Sequence, residues 1–278
     1  MNSRDDVLVR ALAPTDIPAA MRINEAAGWN QTETDWHNLL RLAPDTCYGL
    51  KCDGFLAATT TAVCYQRKLA WIGMVLTDPA HRRRGFARRL VEHAIEVLTA
   101  RHMEWIKLDA TEMGAPLYRQ LGFEPECEIE RWGTTVGKTP ATPDLNWHDQ
   151  CSALDRGAFG ADRSNLLAVL APLGAAAVPN EGYAMARAGA KAAYFGPCVS
   201  RGAETAHELL AWFLSRHAGE PVYWDLLPAN TEAVQLARAY GFAPLRRLVR
   251  MGRRGVTGAA PLNHDDSQVF AIAGFEYG

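Results

Sequence analysis

The sequence predicts a mixed α/β protein built from two similar domains, and three observations support that fold class. Strand-like apolar segments alternate with amphipathic helical patterns along the whole chain. The chain has 278 residues, which is longer than the roughly 100–200 residues of a common single domain. The order of segments in the first half returns in the second. Each half is long enough to bury its own core.

The first half opens with two helical patterns and a hairpin. The first helix has Thr15 or Asp16 as its cap, and the turn Cys52-Asp53-Gly54 separates two strands. The predicted helices are residues 15–28, 35–42, 86–100 and 115–121, and the predicted strands are residues 47–50, 55–64, 69–76, 105–109 and 126–132.

The second half repeats this order after a stretch rich in Thr, Gly and Pro, which predicts a linker at residues 136–144. The domains are therefore predicted at residues 1–135 and 145–278. In the second half the predicted strands are residues 183–187, 192–199, 222–226, 245–252 and 269–276, and the predicted helices are residues 204–217 and 230–240.

The two halves can be aligned by their own residues. Five residues of the first half recur 119 positions later in the second half, whereas the upstream pair Gly73 and Gly196 lies 123 positions apart. The smaller offset downstream predicts that the second half has lost four residues between this strand and the following helix. An internal duplication explains this pattern, and chance similarity of two strand–helix patterns is the alternative. The five pairs are Ala87 and Ala206, Leu90 and Leu209, Trp105 and Trp224, Gly122 and Gly241, and Phe123 and Phe242.

Composition and charge exclude several function classes. A net charge of −2 and a pI near 6.5 argue against a general binder of nucleic acid or membrane surfaces. The N-terminus has no apolar signal region, and no apolar stretch is long enough to span a bilayer. Six cysteines and eight histidines show no metal-ligand spacing, so we expect free thiols, no metal and a cytoplasmic location.

The segment 71–98, WIGMVLTDPAHRRRGFARRLVEHAIEVL, carries the strongest functional pattern. A strand leads through a basic loop into a helix, where free backbone N–H groups and the helix dipole favour a diphosphate. Gly85 permits close approach of a ligand to the backbone. A solvated surface patch is the alternative, but arginines at a helix start oppose the dipole, which disfavours a role in stability. The arginines are Arg82, Arg83, Arg84 and Arg88.

Two motifs in register resemble the GNAT superfamily of N-acetyltransferases. RRRGFA (82–87) fits the pattern R/Q-x-x-G-x-G/A, and LDATEMGAPLYRQLGF (108–123) is similar to the GNAT segment that ends in Tyr and Gly-Phe. The segment AGWNQTETDW (27–36) resembles a bacterial two-domain subgroup whose second half is degenerate. The resemblance implies tandem domains, each with a central mixed, mostly antiparallel sheet and flanking helices.

The same resemblance implies an acetyl-CoA site in the first half. The strand that ends near Leu76 would splay from its neighbour at a bulge and pair with the pantetheine arm, and a strand N–H near Val75 would stabilise the oxyanion. Tyr118 stands where the family has the general acid that protonates the departing thiolate, although a packed aromatic is the alternative. The implied cofactor residues are Met74, Val75, Leu76, Arg82, Arg83, Arg84, Gly85, Phe86, Ala87, Arg88 and Thr111, the last of which alternatively caps the next helix.

The acceptor side is less defined by the sequence. Trp29, Asn30, Gln31 and Trp36 lie in the loop with which GNAT folds cover the acceptor, so we expect them to line the substrate pocket, with a role in bracing a domain interface as the alternative. The general base is left open. Its candidates are Glu25, Glu33, Asp35, Asp109 and Glu112.

The second half is expected to bind no acetyl-CoA. In the alignment Glu204 replaces Gly85 and Ala237 replaces Tyr118, so we expect this half to help shape the acceptor pocket, or alternatively to be purely structural. The predicted function is acetyl transfer from acetyl-CoA to a primary amine, with release of CoA. A small metabolite is favoured over a protein amine, and a non-catalytic acyl-CoA sensor is the rival from another class. The sequence specifies neither the acceptor nor the oligomeric state.

Overall fold

A computed structural model describes residues 6–135, 137, 145–147 and 151–278. Apart from residue 137, the predicted linker at residues 136–144 lies outside the described residues. None of the described helices is long and apolar enough to cross a membrane. All six cysteines lie in the described part of the chain, and none of them is in a disulfide.

The first half follows the predicted order and adds a strand at its start. The predicted helix 86–100 is confirmed with the same bounds. The elements are β1 (Val7–Ala11), α1 (Ile17–Ala26), α2 (Glu33–Leu42), β2 (Tyr48–Cys52), β3 (Phe55–Tyr65), β4 (Leu69–Thr77), α3 (Phe86–Ala100), β5 (Trp105–Ala110), α4 (Ala115–Gln120) and β6 (Glu124–Thr135).

The second half contains two helices and a strand that were not predicted, at residues 152–159, 164–170 and 175–178. The predicted strand 269–276 is wrong beyond Ala271, because the chain there leaves the sheet. The elements are α5 (Ser152–Phe159), α6 (Ser164–Leu170), β7 (Ala175–Val178), β8 (Gly182–Arg187), β9 (Ala193–Ser200), α7 (Ala203–Arg216), β10 (Pro221–Leu226), α8 (Thr231–Ala239), β11 (Ala243–Arg254) and β12 (Val269–Ala271).

The strands of both halves form one continuous sheet. Its order is β1-β2-β3-β4-β5-β11-β6-β10-β9-β8-β7, with β12 paired to β9. Most neighbours are antiparallel, and β4–β5 and β9–β10 are parallel. The halves exchange one strand each, since β11 lies beside β5 and β6 lies beside β10.

Two buried ion pairs mark this exchange. Arg250 of β11 lies 3.0 Å from Asp109 of β5, and Arg131 of β6 lies 2.7 Å from Asp225 of β10. Both aspartates are fully buried, and each arginine stands directly opposite its aspartate in the ladder. The two pairs therefore occupy equivalent positions in the two halves.

This equivalence corrects part of the internal alignment. Arg131 and Arg250 lie 119 residues apart, but Asp109 and Asp225 lie only 116 apart, so Trp105 and Trp224 are not equivalent. The second half has lost seven residues, not four, between β4 and β5. The loop before α7 has two residues where the loop before α3 has eight, and α7 is one residue shorter than α3. Gly202, rather than Glu204, therefore takes the N-cap place of Gly85.

The helices of the first half divide between the two faces of the sheet. Helices α3 and α4 pack on the face that carries Ile72, Leu108 and Met251. Helices α1 and α2 pack on the opposite face, with Trp71 and Leu76. The second face also receives residues 272–278, which run from the second half into the core of the first.

Candidate functional site

Strands β4 and β5 separate partway along their length and leave a notch. They pair only from Leu69 to Trp71, and β4 continues to Thr77 without β5. A bulge interrupts the β3–β4 ladder where Met74 has a φ of 47°. The Thr59 hydroxyl donates a 2.8 Å hydrogen bond to the Met74 carbonyl and fixes the bulge. The β5-facing edge of β4 therefore stays open for another extended chain.

A basic loop ends at the start of α3 beside this notch. Gly85 is the N-cap in the left-handed region, with a φ of 79°, and a Cβ at this position would have no atom within 4 Å. The Arg89 amide makes the first bond to the Gly85 carbonyl, so the amides of Phe86, Ala87 and Arg88 have no partner within the helix. These amides, the helix dipole and the arginines form an anion site.

The notch and the basic loop both line one cavity of about 740 Å³. Of the predicted cofactor residues only Arg84 lies outside its wall. Arg84 turns toward the β2–β3 hairpin, where its guanidinium lies 3.5 Å from the Cys52 sulfur and over the Phe86 ring. The predicted residues that line the cavity are Met74, Val75, Leu76, Arg82, Arg83, Gly85, Phe86, Ala87, Arg88, Thr111 and Tyr118.

Tyr118 projects from α4 into the wall of this cavity. Its side chain is buried, and none of the described residues hydrogen-bonds to its hydroxyl. Burial raises the pKa of Tyr118 above its ordinary value, so the phenol stays protonated and can donate. Gly114 permits this position, since a Cβ there would lie 3.1 Å from the Tyr118 ring. The Thr111 hydroxyl accepts a hydrogen bond from the Gly114 amide and so fixes the turn before α4.

The other end of the cavity is built by both halves. Trp29 of the α1–α2 loop lines it together with Arg246 and Leu248 of β11 and Phe275 of the final segment. Residues of the second half therefore lie in the same cavity as Tyr118.

Asn30, Gln31 and Trp36 do not line the cavity, which corrects the expectation that they form the acceptor pocket. The Asn30 amide bonds to the backbone of Lys191 and Ala192, and Gln31 donates to Glu276 at 2.8 Å. These two amides join the halves, which is the alternative role considered for them. Trp36 is fully buried in the core.

Asp109 is the one acidic residue among the described residues that line the cavity, and its carboxylate is itself fully buried. Arg250 donates to both of its oxygens, at 3.0 and 3.2 Å. Burial nevertheless raises the pKa of Asp109, against the effect of Arg250. The other base candidates lie elsewhere. Glu25, Glu33 and Glu112 are exposed, and Asp35 is bound to Arg187 at 3.2 Å.

The final segment closes the α1–α2 face over β4. A Cβ at Gly73 would lie 2.7 Å from the Cα of Glu276, so only glycine permits this approach. Glu276 is buried and paired with Arg187 at 2.8 Å. Burial and the nearby Asp35 raise the pKa of Glu276, while Arg187 lowers it. The role of this segment was not predictable, because its sequence pattern is that of a strand.

The second half has the equivalent notch, but its own chain fills it. Strands β9 and β10 pair only from Ala193 to Phe195. Strand β12 enters beyond that point, paired to Cys198 and Val199 of β9, and the Ile272 amide bonds to the Asp225 carbonyl of β10. With Gly196 in the place of Gly73, Cys198 and Val199 correspond to Val75 and Leu76. Ala237 takes the place of Tyr118, since the Phe242 and Phe123 amides bond to their respective carbonyls.

A second cavity of about 310 Å³ lies between the halves and is lined by Trp71, Trp105 and His264. None of its wall residues belongs to the larger cavity. The charged groups Lys107 and Glu126 on its wall pair at 2.6 Å. Across the described ranges, no group of three or more His, Cys, Asp or Glu is arranged to hold a metal ion.

Two family profiles match the chain. Residues 17–123 match the acetyltransferase (GNAT) family, and residues 151–271 match an acetyltransferase (GNAT) domain. The uncharacterized N-acetyltransferase YitH of Bacillus subtilis is 34% identical over 110 residues. That match spans 36% of this chain and 38% of the relative.

Solved structures share the fold over nearly the whole chain. A Pyrococcus horikoshii protein provisionally described as an acetyltransferase has a TM-score of 0.86 at 20% identity, covering 98% of this chain and 96% of its own. A GCN5-related N-acetyltransferase from Sphaerobacter thermophilus has a TM-score of 0.69 at 18% identity, covering 93% and 98%. A tandem GNAT protein from the clavulanic acid biosynthesis pathway has a TM-score of 0.63 at 16% identity, covering 91% and 100%.

Proposed function

We propose, since the chain belongs to the GNAT acetyltransferase superfamily, that it transfers the acetyl group of acetyl-CoA to the primary amine of a small metabolite. One observation carries this proposal. The arginine loop, the open edge of β4 and the buried Tyr118 line a single cavity, which both halves enclose at its other end. Acetyl-CoA supplies the acetyl group as a thioester.

The residues present fit this ligand. The space beside Gly85 leaves room for a diphosphate against the first amides of α3. Arg82, Arg83 and Arg88 add positive charge. The backbone of Val75 and Leu76 offers an edge for the pantetheine arm, and β12 pairs with the equivalent edge of the second half.

The side chains then divide the proton transfers between them. We assign to Asp109 the acceptance of a proton from the substrate ammonium, because it is the one acidic residue among the described residues of the cavity wall and its pKa is raised. The N–H of Val75 stabilises negative charge on the carbonyl oxygen. Tyr118 protonates the sulfur as the C–S bond breaks and the N–C bond forms. The nitrogen loses its second proton to solvent as the amide forms. The products are the amide and the CoA thiol; the phenol regains a proton from solvent and Asp109 releases the one it accepted, so that one proton is released overall.

Calorimetry and a CoA-release assay with a panel of amines test this function. We expect one acetyl-CoA per chain, because β12 fills the second notch. Tyr118→Phe should lower kcat by about 10²–10⁴ with little change in acetyl-CoA affinity. Tyr240→Phe is the control, since that hydroxyl bonds to His207 far from the cavity. Binding of acetyl-CoA without release for any amine would favour the sensor. An unchanged kcat in Tyr118→Phe would remove the acid role.

A further inference from the structure

Arg246 places a positive charge at the acceptor end of the large cavity. It lies on β11 opposite Arg131 of β6, in the part of β11 that extends past the end of β5. Successive side chains of a strand point to opposite faces of the sheet, so Arg246, Leu248 and Arg250 share a face. Arg250 lies over Trp71 on the α1–α2 side, so Arg246 points to that side too, where it lines the cavity with Phe275 and Trp29.

The charge of Arg246 has no counterion among the residues that the structure describes. Each arginine around it is paired: Arg131 with Asp225, Arg250 with Asp109, and Arg247 with Glu130. Partial burial lowers the pKa of Arg246 and repulsion by Arg131 lowers it further, while the more distant Asp225 carboxylate raises it. Arg246 is exposed, lies beside Arg131 and has no salt-bridge partner among the described residues. Such a guanidinium is suited to bind an anion supplied from outside the chain.

The phosphates of CoA are not that anion in the proposed binding mode. The loop that would hold them opens α3, which packs over β2, β3 and β4 on the opposite face of the sheet. Arg246 lies on β11, which β5 separates from β4. The cavity thus has two cationic ends, one at residues 82–88 and one at Arg246, with the notch between them.

We propose that Arg246 binds a carboxylate of the acceptor, so that the substrate is an amino acid or another small amine that carries a carboxylate. This inference rests on the proposed function. Arg250 is the residue of β11 opposite Asp109, and Arg246 lies four residues from it along the strand. At 3.3 Å per residue, the Cα atoms of Arg246 and Arg250 are about 13 Å apart. One small molecule can therefore place its carboxylate at the long Arg246 side chain and its amine at the part of the cavity wall that Asp109 forms. Trp29, Leu248 and Phe275 contact the apolar part between them.

The same guanidinium could instead bind a carboxylate on the acyl group, as in a dicarboxylic acyl-CoA. The experiment separates the two sources of carboxylate. Wild type, Arg246→Gln, Arg246→Lys and Arg247→Gln are assayed with acetyl-CoA and succinyl-CoA against amino acids and their carboxamides. Arg247 is the matched control, because it is the next residue on the strand, points to the other face and has an exposed side chain that pairs with Glu130.

We expect wild type to prefer an amino acid over its carboxamide in kcat/KM. In Arg246→Gln this preference should fall by about 10–100-fold, the usual effect of a charged hydrogen bond. Arg246→Lys should keep part of it, since the charge remains without the two-pronged geometry. Arg247→Gln should match wild type. The acetyl-CoA Kd should be the same in all four proteins.

A binding measurement tests the Arg246 subsite independently of catalytic turnover. Calorimetry of the preferred amino acid with the CoA-loaded protein should give a Kd that rises about 10–100-fold in Arg246→Gln. Loss of that binding in a chain that acetylates no amine would overturn the proposed function but support the subsite. Equal use of acid and carboxamide by wild type would overturn the subsite. A preference for succinyl-CoA that depends on Arg246 would also overturn the subsite for an acceptor carboxylate, as would a higher acetyl-CoA Kd in Arg246→Gln.

Discussion

The two equivalent ion pairs of the strand exchange allow one substitution to be tested against an internal control. Asp109→Asn and Asp225→Asn each remove a fully buried charge opposite an arginine. Both aspartates bind two nitrogens of their arginine. They differ in position, because Asp109 lines the large cavity and Asp225 does not. We therefore expect similar losses of stability and different losses of activity.

The free energy of unfolding should fall by about 3 kcal/mol in each variant. Breaking a buried ion pair at one partner costs roughly 3–5 kcal/mol, because the remaining charge is left buried without a counterion. Asparagine keeps the shape and one acceptor oxygen, which favours the lower end of that range. At roughly 2–4 °C per kcal/mol for a chain of this size, each Tm should fall by about 6–12 °C.

Differential scanning calorimetry and steady-state kinetics at a temperature well below both Tm values measure the two effects separately. Asp109→Asn should lower kcat by about 10²–10⁴, as expected for a lost proton acceptor. Asp225→Asn should keep the wild-type kcat. If both variants lost activity to the same extent, the effect at Asp109 would be structural and the base would have to be sought elsewhere. If only Asp109→Asn lost stability, the two pairs would not be equivalent.

Two further predictions concern the cofactor loop and the second cavity. Gly85→Glu should abolish acetyl-CoA binding in calorimetry, because it strains a φ of 79° and adds a carboxylate at the anion site. The control Gly202→Glu, at the equivalent N-cap of α7, should bind acetyl-CoA normally. Normal binding by a folded Gly85→Glu protein would reject the loop assignment. The nearby carboxylate of Asp266, 3.6 Å from the His264 ring, raises the pKa of His264 above 6.5. The imidazolium therefore stabilises the folded protein fully below about pH 6.5 and loses that effect as pH rises through the folded-state pKa. The Tm difference between wild type and His264→Gln should therefore be largest near about pH 5, and a difference that grew toward alkaline pH would contradict this assignment.

Local features of the fold were predictable from the sequence. The helix 86–100 follows from apolar residues at helical spacing, and the loop before it follows from its arginines and Gly85. The hairpin at Cys52–Gly54 follows from its turn residues. Each of these features is encoded by neighbours in sequence, so no knowledge of the distant chain is needed.

The strand exchange was not predictable, because strand pairing between halves leaves no mark on local periodicity. Strands β6 and β11 would carry the same alternation beside any neighbour. Arg131 and Arg250 were the available hint, since an arginine on a buried strand position needs a carboxylate opposite it. The residues at the acceptor end of the cavity were not predictable for the same reason, since they come from distant parts of the chain. Arg246 reaches the cavity through the exchange and Phe275 reaches it through the final segment, whereas Asn30 and Gln31, nearer in sequence to Trp29, bond to the second half instead.

Strand β12 acts as a tethered competitor for the notch of the second half. Because Val269–Ala271 belongs to the same chain as β9, its effective concentration at that edge is on the order of millimolar or higher. A free acyl-CoA would have to displace this intramolecular partner before it could pair with Cys198 and Val199. Restoring arginines before α7 would leave that competition unchanged. Only removal of residues 269–271 from the edge would give the second half a vacant strand position like the one that β4 retains.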